Sequence, residues 1–354
     1  MMNTNFSKVR TTISVVPFLI GITGIIFVII LDKTYWQTYI FAEGWPNFSS
    51  DYLIRSGVIF ISVFITLWSL IGKNKPTFLL SENNKTSLIP FSIFSTLCFS
   101  IIIICLFIYA PETFSALSLE DGLIEWASAL LLFGSFILMA TSFLKTRNVI
   151  RLSKTIWFSL GILSLAFFVL AMEEISWFQR QLEIDSPELF NSNWQGEMNL
   201  HNFATDKVEN LYYFGSFFLL VILPFIRWLL PSITNNNYLK IFIPRPFIGV
   251  IGSIACAYNF DMWNIIFTQI TFFGSVIVLF AYAVFSSNKN ERYLFIFTIL
   301  LIVITQALFL MNGSKFDRLW EVTEYKEFFI PLAFFIYTLD SFSYINHTYL
   351  PKKS

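Results

Sequence analysis

Charge is what this sequence has little of. Only 13% of its 354 residues are Asp, Glu, Lys or Arg, against about a quarter in an ordinary soluble domain, which excludes a soluble globular protein. Histidine is nearly absent, at two residues, and the three cysteines, Cys98, Cys105 and Cys256, show no metal-type spacing. A closed structural zinc site and the multi-histidine patterns of membrane hydrolases are excluded with them. All three thiols fall in apolar runs, where cysteine behaves as a small hydrophobe. No internal repeat is found. The longest polar segment, residues 181–210, has room for only a short helix or two, so no separate soluble domain is expected. With a net charge of zero, no nucleic-acid partner is expected either.

What is present is hydrophobic, at 56%, with 19% aromatic residues. Each helical crossing of a bilayer takes about 20 apolar residues. Ten segments qualify: Thr11 to Leu31, Tyr52 to Ile71, Leu88 to Ala110, Gly122 to Leu144, Trp157 to Arg180, Leu211 to Leu230, Ile241 to Tyr258, Trp263 to Phe285, Tyr293 to Met311 and Phe328 to Ile345. They are continuously apolar with no period of two, which excludes the strands of a barrel. The expected fold is therefore all-α, a polytopic transmembrane bundle of about ten spans over residues 1–354, with residues 181–210 folded over the outer face. The seventh segment is the weakest, because Pro244 and Pro246 lie near its start and Asn259, Asp261 and Asn264 follow it. The first follows Lys8 and Arg10 as a signal peptide would, but its apolar run is too long and no cleavage site follows, so it reads as a retained span.

Charge orients the chain. With the N-terminus in the cytoplasm, most of the 23 basic residues fall in inner segments, as the positive-inside tendency requires. Both termini are then cytoplasmic. Removing the seventh span would put Lys289 and Arg292 outside, so the pattern keeps it. Of the 23 acids, all but Glu82, Glu291 and Asp340 lie outside or at outer span ends. Most of these read as a solvated surface; the informative ones intrude on the membrane.

Four groups do so. In LEDGLIEW, Glu120 and Asp121 precede the fourth span and suit a helix N-terminus, while Glu125 lies one turn inside, where a carboxylate costs up to about 2.5–3.5 kcal/mol unless it faces protein or water. In AMEEISWFQR, a continuous helix would set Glu173, Trp177 and Arg180 on one face and Glu174 on the next. Arg180 and Trp177 suit interfacial anchors, yet two consecutive carboxylates with one arginine leave surplus negative charge, which calls for a cation, another basic partner or a retained proton. In NWQGEMNLHNF, a helical turn would pair Glu197 with His201, beside Asn202 and after Gln195; such a pair is as much a structural hydrogen bond as a catalytic device. In RLWEVTEYKEFF, Glu321, Glu324 and Glu327 recur ahead of the last span, with Arg318 and Lys326 as local partners, and read as a solvated interfacial helix with a supporting role.

EDGLIEW, EEISWFQR and NLHN, in this order, resemble a family of uncharacterised bacterial multi-pass integral membrane proteins. The resemblance covers roughly Glu120 to Asn202 and implies a bacterial inner-membrane protein that groups Glu125, Glu173, Glu174, Gln179, Arg180, Glu197, His201 and Asn202. The family carries glycine where this chain has Phe178.

Three function classes fit. The leading one is a membrane-embedded enzyme acting at the outer face on a lipid or lipid-linked substrate. In it Glu125, Glu173, Glu174 and His201 are catalytic, and Gln179, Arg180, Gln195, Asn202, Glu321 and Glu324 bind substrate. Glu173, Glu174, Glu197 and His201 offer ligands to a divalent cation. The alternatives are a proton- or cation-coupled transporter, in which Glu125 and Asp340 carry the ion, and a non-catalytic assembly protein. Orientation is testable directly. In a background lacking the three native cysteines, a cysteine at Ser192 reacts with an impermeant thiol reagent from outside and one at Asn148 does not; the reverse result inverts the topology.

Overall fold

A computed structural model describes residues 14–71, 88–149, 152–188, 190 and 198–350, without the side chain of His201. Among these residues every regular element is a helix, and ten helices are long and apolar enough to cross a membrane. It is an integral, multi-pass membrane protein.

The chain opens with an antiparallel hairpin of α1 (Val15–Thr34) and α2 (Ser50–Ser69). Small residues set its closeness: a Cβ on Gly21 would sit 2.2 Å from Thr66 Oγ1, and one on Gly24 2.2 Å from Ser62 Oγ, so any larger side chain would push the helices apart. The hairpin is closed by a buried ion pair, Arg55 giving Nε to Asp32 Oδ1 at 2.7 Å and Nη2 to Oδ2 at 2.5 Å. Next come α3 (Leu88–Tyr109), the short α4 (Pro111–Leu117), α5 (Leu123–Thr146) and α6 (Lys154–Glu174). Helix α5 packs along both α6 and α13 (Glu321–Tyr349).

The sixth span runs Thr205–Leu229 as α7 (Thr205–Phe217), a π turn at Phe218–Ile222 and α8 (Leu223–Leu229). Pro224 has no N–H to continue the α ladder, and a π turn is one way a helix absorbs such a gap. The seventh span is real but broken. Helix α9 (Asn237–Phe242) stops, and α10 (Pro246–Ala255) begins after Ile243 and Arg245, both extended at ψ 116 and 156, the backbone that a following proline imposes. Arg227 Nη1 donates to the freed carbonyl of Ile243 at 2.5 Å, and Arg245 pairs bidentately with Asp340 of α13. Asp340 thus has a structural counter-ion rather than standing alone as a proton carrier.

Every residue of α10 is buried, and α3, α8, α11 (Ile266–Phe285), α12 (Lys289–Met311) and α13 pack against it. The connection from Cys256 to Ile265 is irregular yet almost wholly buried, which is tolerated at membrane depth only where protein satisfies the backbone. Asn259 Nδ2 donates to Gln306 Oε1 at 2.8 Å and Gln306 Nε2 returns a bond to the Asn259 carbonyl at 2.6 Å. The 35–49 connection lies on top: Gly44 N–H bonds Asp261 O at 2.9 Å and Asn264 Nδ2 bonds Trp45 O at 2.9 Å.

The three boundaries that differ most from expectation lie at the same end of the bundle. The fifth span ends at Glu174, not Arg180; the sixth starts at Thr205, not Leu211; the tenth starts at Glu321, not Phe328. The fifth span breaks at the left-handed residues after Glu174. For the sixth and tenth hydropathy places the boundary where charge begins, but these charged turns stay helical because neighbouring protein covers them. An aromatic stack does this for α13: Phe114 lies on Tyr325 at 4.3 Å, and the Tyr325 hydroxyl donates to Phe114 O at 2.7 Å.

Removing one member of a buried ion pair leaves an uncompensated charge, which costs about 3–5 kcal/mol. Asp32→Ala should lower stability by that order in detergent unfolding, and adding Arg55→Met should recover most of it. An Asp32→Ala protein as stable as the parent would contradict this role for the pair.

Candidate functional site

Four helix ends meet at one end of the bundle: the carboxyl end of α6 and the amino ends of α5, α7 and α13. The chain leaving α6 turns sharply. Ser176, Trp177 and Phe178 have φ of 47, 55 and 61°, a left-handed turn of three L-residues that costs about 1–2 kcal/mol each. AMEEISWFQR is therefore a helix end followed by a reversal, and the single helical face expected through Arg180 does not form.

Its side chains secure the reversal. Glu173 accepts from Trp177 Nε1 and from the Leu200 N–H, both at 2.8 Å. Gln179 accepts from the Met198 N–H at 2.6 Å and donates to Ser186 Oγ at 2.5 Å. Asn199 Nδ2 donates to Ser176 Oγ at 2.9 Å. The segment at Met198–Leu200 is thereby held against the turn. Arg180 reaches across to the start of α5, with Nη1 3.0 Å from Asp121 Oδ2 and Nη2 3.3 Å from Glu120 Oε2, while Gln181 donates to Asp121 Oδ1 at 3.0 Å. Glu125 accepts from the Asp121 N–H at 2.6 Å. Glu173, Gln179 and Arg180 thus tie elements together.

Glu174 is placed otherwise. It is half-buried, and Glu327, Glu324, Glu125 and Glu209 all act on it electrostatically. Glu324 and Glu327 come from α13 and Glu209 from α7, so three helices besides α6 contribute carboxylates. Glu321, expected among the substrate ligands, is 1% exposed and accepts from Ser115 Oγ at 2.6 Å and from the Arg318 N–H at 3.1 Å. It holds the α4 and α13 ends together. Asn202 is buried. His201 opens a short 3₁₀ turn, His201–Phe203, while its side chain, together with Gln195 and Glu197, lies outside the described residues. Among the described residues no three His, Cys, Asp or Glu side chains stand close enough to hold a metal ion; two of the four ligands expected for a cation are not among them.

Several participants escaped the sequence reading. Lys326, at 3% exposure, is a buried member of the group rather than a solvated partner of its neighbours. Its Nζ lies 4.4 Å from the centre of the Tyr213 ring, and the Tyr213 hydroxyl donates to Glu327. Asp261, in the buried connection after α10, accepts from Thr323 Oγ1 at 2.9 Å, and burial raises its carboxyl to about 6 against that bond. Glu43 is exposed overall, but the protein around its carboxyl raises it to about 7, loss of water first and then Asp261 and Asp206. Glu209 and Tyr213 are four apart on α7, a spacing that could have signalled a shared face. For Glu43 and Asp261 the local sequence carries no such signal.

No family model, curated protein or solved structure matches the chain. Function is therefore argued from these residues alone.

The left-handed turn offers a direct check. Glycine adopts φ of about +60° without the Cβ penalty, and Phe178 is 40% exposed, so little packing is lost with its ring. Phe178→Gly should stabilise the protein by about 1 kcal/mol in thermal unfolding. A destabilised variant would mean that the ring, not the backbone, decides this position.

Proposed function

We propose that the protein is a membrane-embedded enzyme acting on a lipid or lipid-linked substrate at the extracytoplasmic face of a bacterial inner membrane, with both termini cytoplasmic. The observation that carries this reading is the half-buried set of carboxylates from four helices with one buried lysine, bordered by exposed apolar side chains on those helices or the turns that flank them: Phe178, Leu182, Leu200, Phe203, Leu211 and Trp320. A polar reaction site edged by apolar surface suits an amphiphile whose head enters while its chain stays in lipid.

Glu125, Glu174 and Glu324 are the groups placed for acid–base work. Acid–base chemistry needs one group that gives a proton and one that takes it, and these half-buried carboxylates offer both roles. Glu173, Gln179 and Arg180 act as positioning residues that hold the α5 and α6 ends around the site.

One observation favours a second reading. The broken seventh span and the π turn of the sixth flank a cavity below the carboxylates, and discontinuous helices around an ion site are a transporter feature. Purified protein in nanodiscs of native lipid extract, followed by lipid mass spectrometry, separates the two. The enzyme reading expects conversion of one lipid class, slowed about 100-fold or more by Glu174→Gln or Glu324→Gln without loss of folding. Unchanged lipids together with carboxylate-dependent proton or cation uptake into liposomes would replace it with the transporter.

A further inference from the structure

Lys326 is 3% exposed and makes no hydrogen bond or ion pair to any described residue; its contact is the face of the Tyr213 ring, whose centre lies 4.4 Å from Nζ. An ammonium carries three donors, and an aromatic face meets its charge without accepting a conventional hydrogen bond. Ser216, one turn beyond Tyr213 on α7, is in the same position. It is 4% exposed, and its hydroxyl makes no hydrogen bond to a described residue. Burying polar groups without partners is costly, and here two such groups border one space.

That space is a cavity lined by Lys326 and Ser216 together with Thr271 of α11, Cys256 and Leu220. Its volume is about 10 Å³, the room that a single water needs. The packing around it fixes that size. Leu220 belongs to the π turn of the sixth span and Gly252 to α10, and a Cβ on Gly252 would stand 2.8 Å from Leu220 Cβ, so the two spans are already in contact beside the cavity. A lipid head group or a hydrated ion is too large to enter.

The lining also selects between water and a bare cation. A cation would sit against an ammonium, and no carboxylate lines the cavity to hold it. Water both accepts and donates, and each role has a partner here. Lys326 and Ser216 supply donors. Thr271 Oγ1 gives its own proton to the Thr268 carbonyl at 2.8 Å and so presents lone pairs. About three hydrogen bonds is the usual complement of a buried water.

We propose that one water is a fixed part of the protein at this point, accepting from Lys326 Nζ and Ser216 Oγ and donating to Thr271 Oγ1. Lys326 is thereby satisfied from within the bundle. It supplies a fixed positive charge behind the Tyr213 ring and is not a ligand for an incoming substrate. The site stands whichever of the two functional readings holds.

A structure of the parent protein in lipid nanodiscs, at a resolution that shows ordered water, tests this directly. A single-atom density is expected about 2.7–3.2 Å from Lys326 Nζ, Ser216 Oγ and Thr271 Oγ1, and it is expected to be lost in K326M. An empty cavity in a map that shows other buried waters, a density too large for water, or an unchanged density in K326M overturns the proposal. Cys256 supplies a test that leaves Lys326 in place, should K326M not fold. In a background lacking Cys98 and Cys105, N-ethylmaleimide should leave Cys256 unlabelled in the folded protein and label it fully after denaturation, because the reagent is larger than the cavity it would have to enter. Labelling of the folded protein would show that the cavity admits molecules larger than water, and would overturn the proposal.

Discussion

Everything polar in this protein that lies at membrane depth has to be covered by protein, because lipid offers no hydrogen bonds and little solvation for charge. The bundle is arranged around that constraint. Arg55 closes on Asp32, Arg245 on Asp340, and Arg227 caps the carbonyl released where the seventh span breaks. The irregular stretch from Cys256 to Ile265 is almost wholly buried, and Gln306, Thr323 and the 35–49 connection hydrogen-bond to it. Nothing of that stretch could face the bilayer.

The carboxylates at one end obey the same rule differently. Glu173 is held by Trp177 and Leu200, and one oxygen of Glu321 by Ser115 and Arg318, and both behave as struts. Glu125, Glu174, Glu209, Glu324 and Glu327 are half-buried and act on one another electrostatically, which costs energy unless protons or a ligand relieve it. A bundle built only for stability would replace such a group with apolar residues at no loss. Retaining strain of this kind at one place, beside three left-handed residues at Ser176 to Phe178, is what a working site is expected to do.

How much could be read beforehand varies by element. Ten crossings were legible because hydropathy over about 20 residues is a property of each segment alone. The doubtful seventh crossing was legible too, as were its prolines, whose effect on the preceding residue is local. Glu125, Glu174 and Glu324 could be singled out, since a carboxylate next to an apolar run is conspicuous. Their division of labour could not: Glu173 and Glu174 are adjacent in sequence, and only the reversal after Glu174 turns the first toward Leu200 and leaves the second with Glu327 and Glu209.

By itself, then, the sequence determined the class of protein and the number of crossings, since each follows from composition within a short window. Only the tertiary structure decided where the helices at that end stop and start, that Lys326 is buried rather than solvated, and that Glu43, Glu209 and Asp261 join the group. Those outcomes depend on which neighbour covers a charged turn, and neighbours such as Ser115 and Glu321, or Asp261 and Thr323, are brought together from distant parts of the chain. Hydropathy assigns a charged turn to water; a packed protein can keep it helical and dry because the hydrogen bonds that water would have made are supplied by another helix.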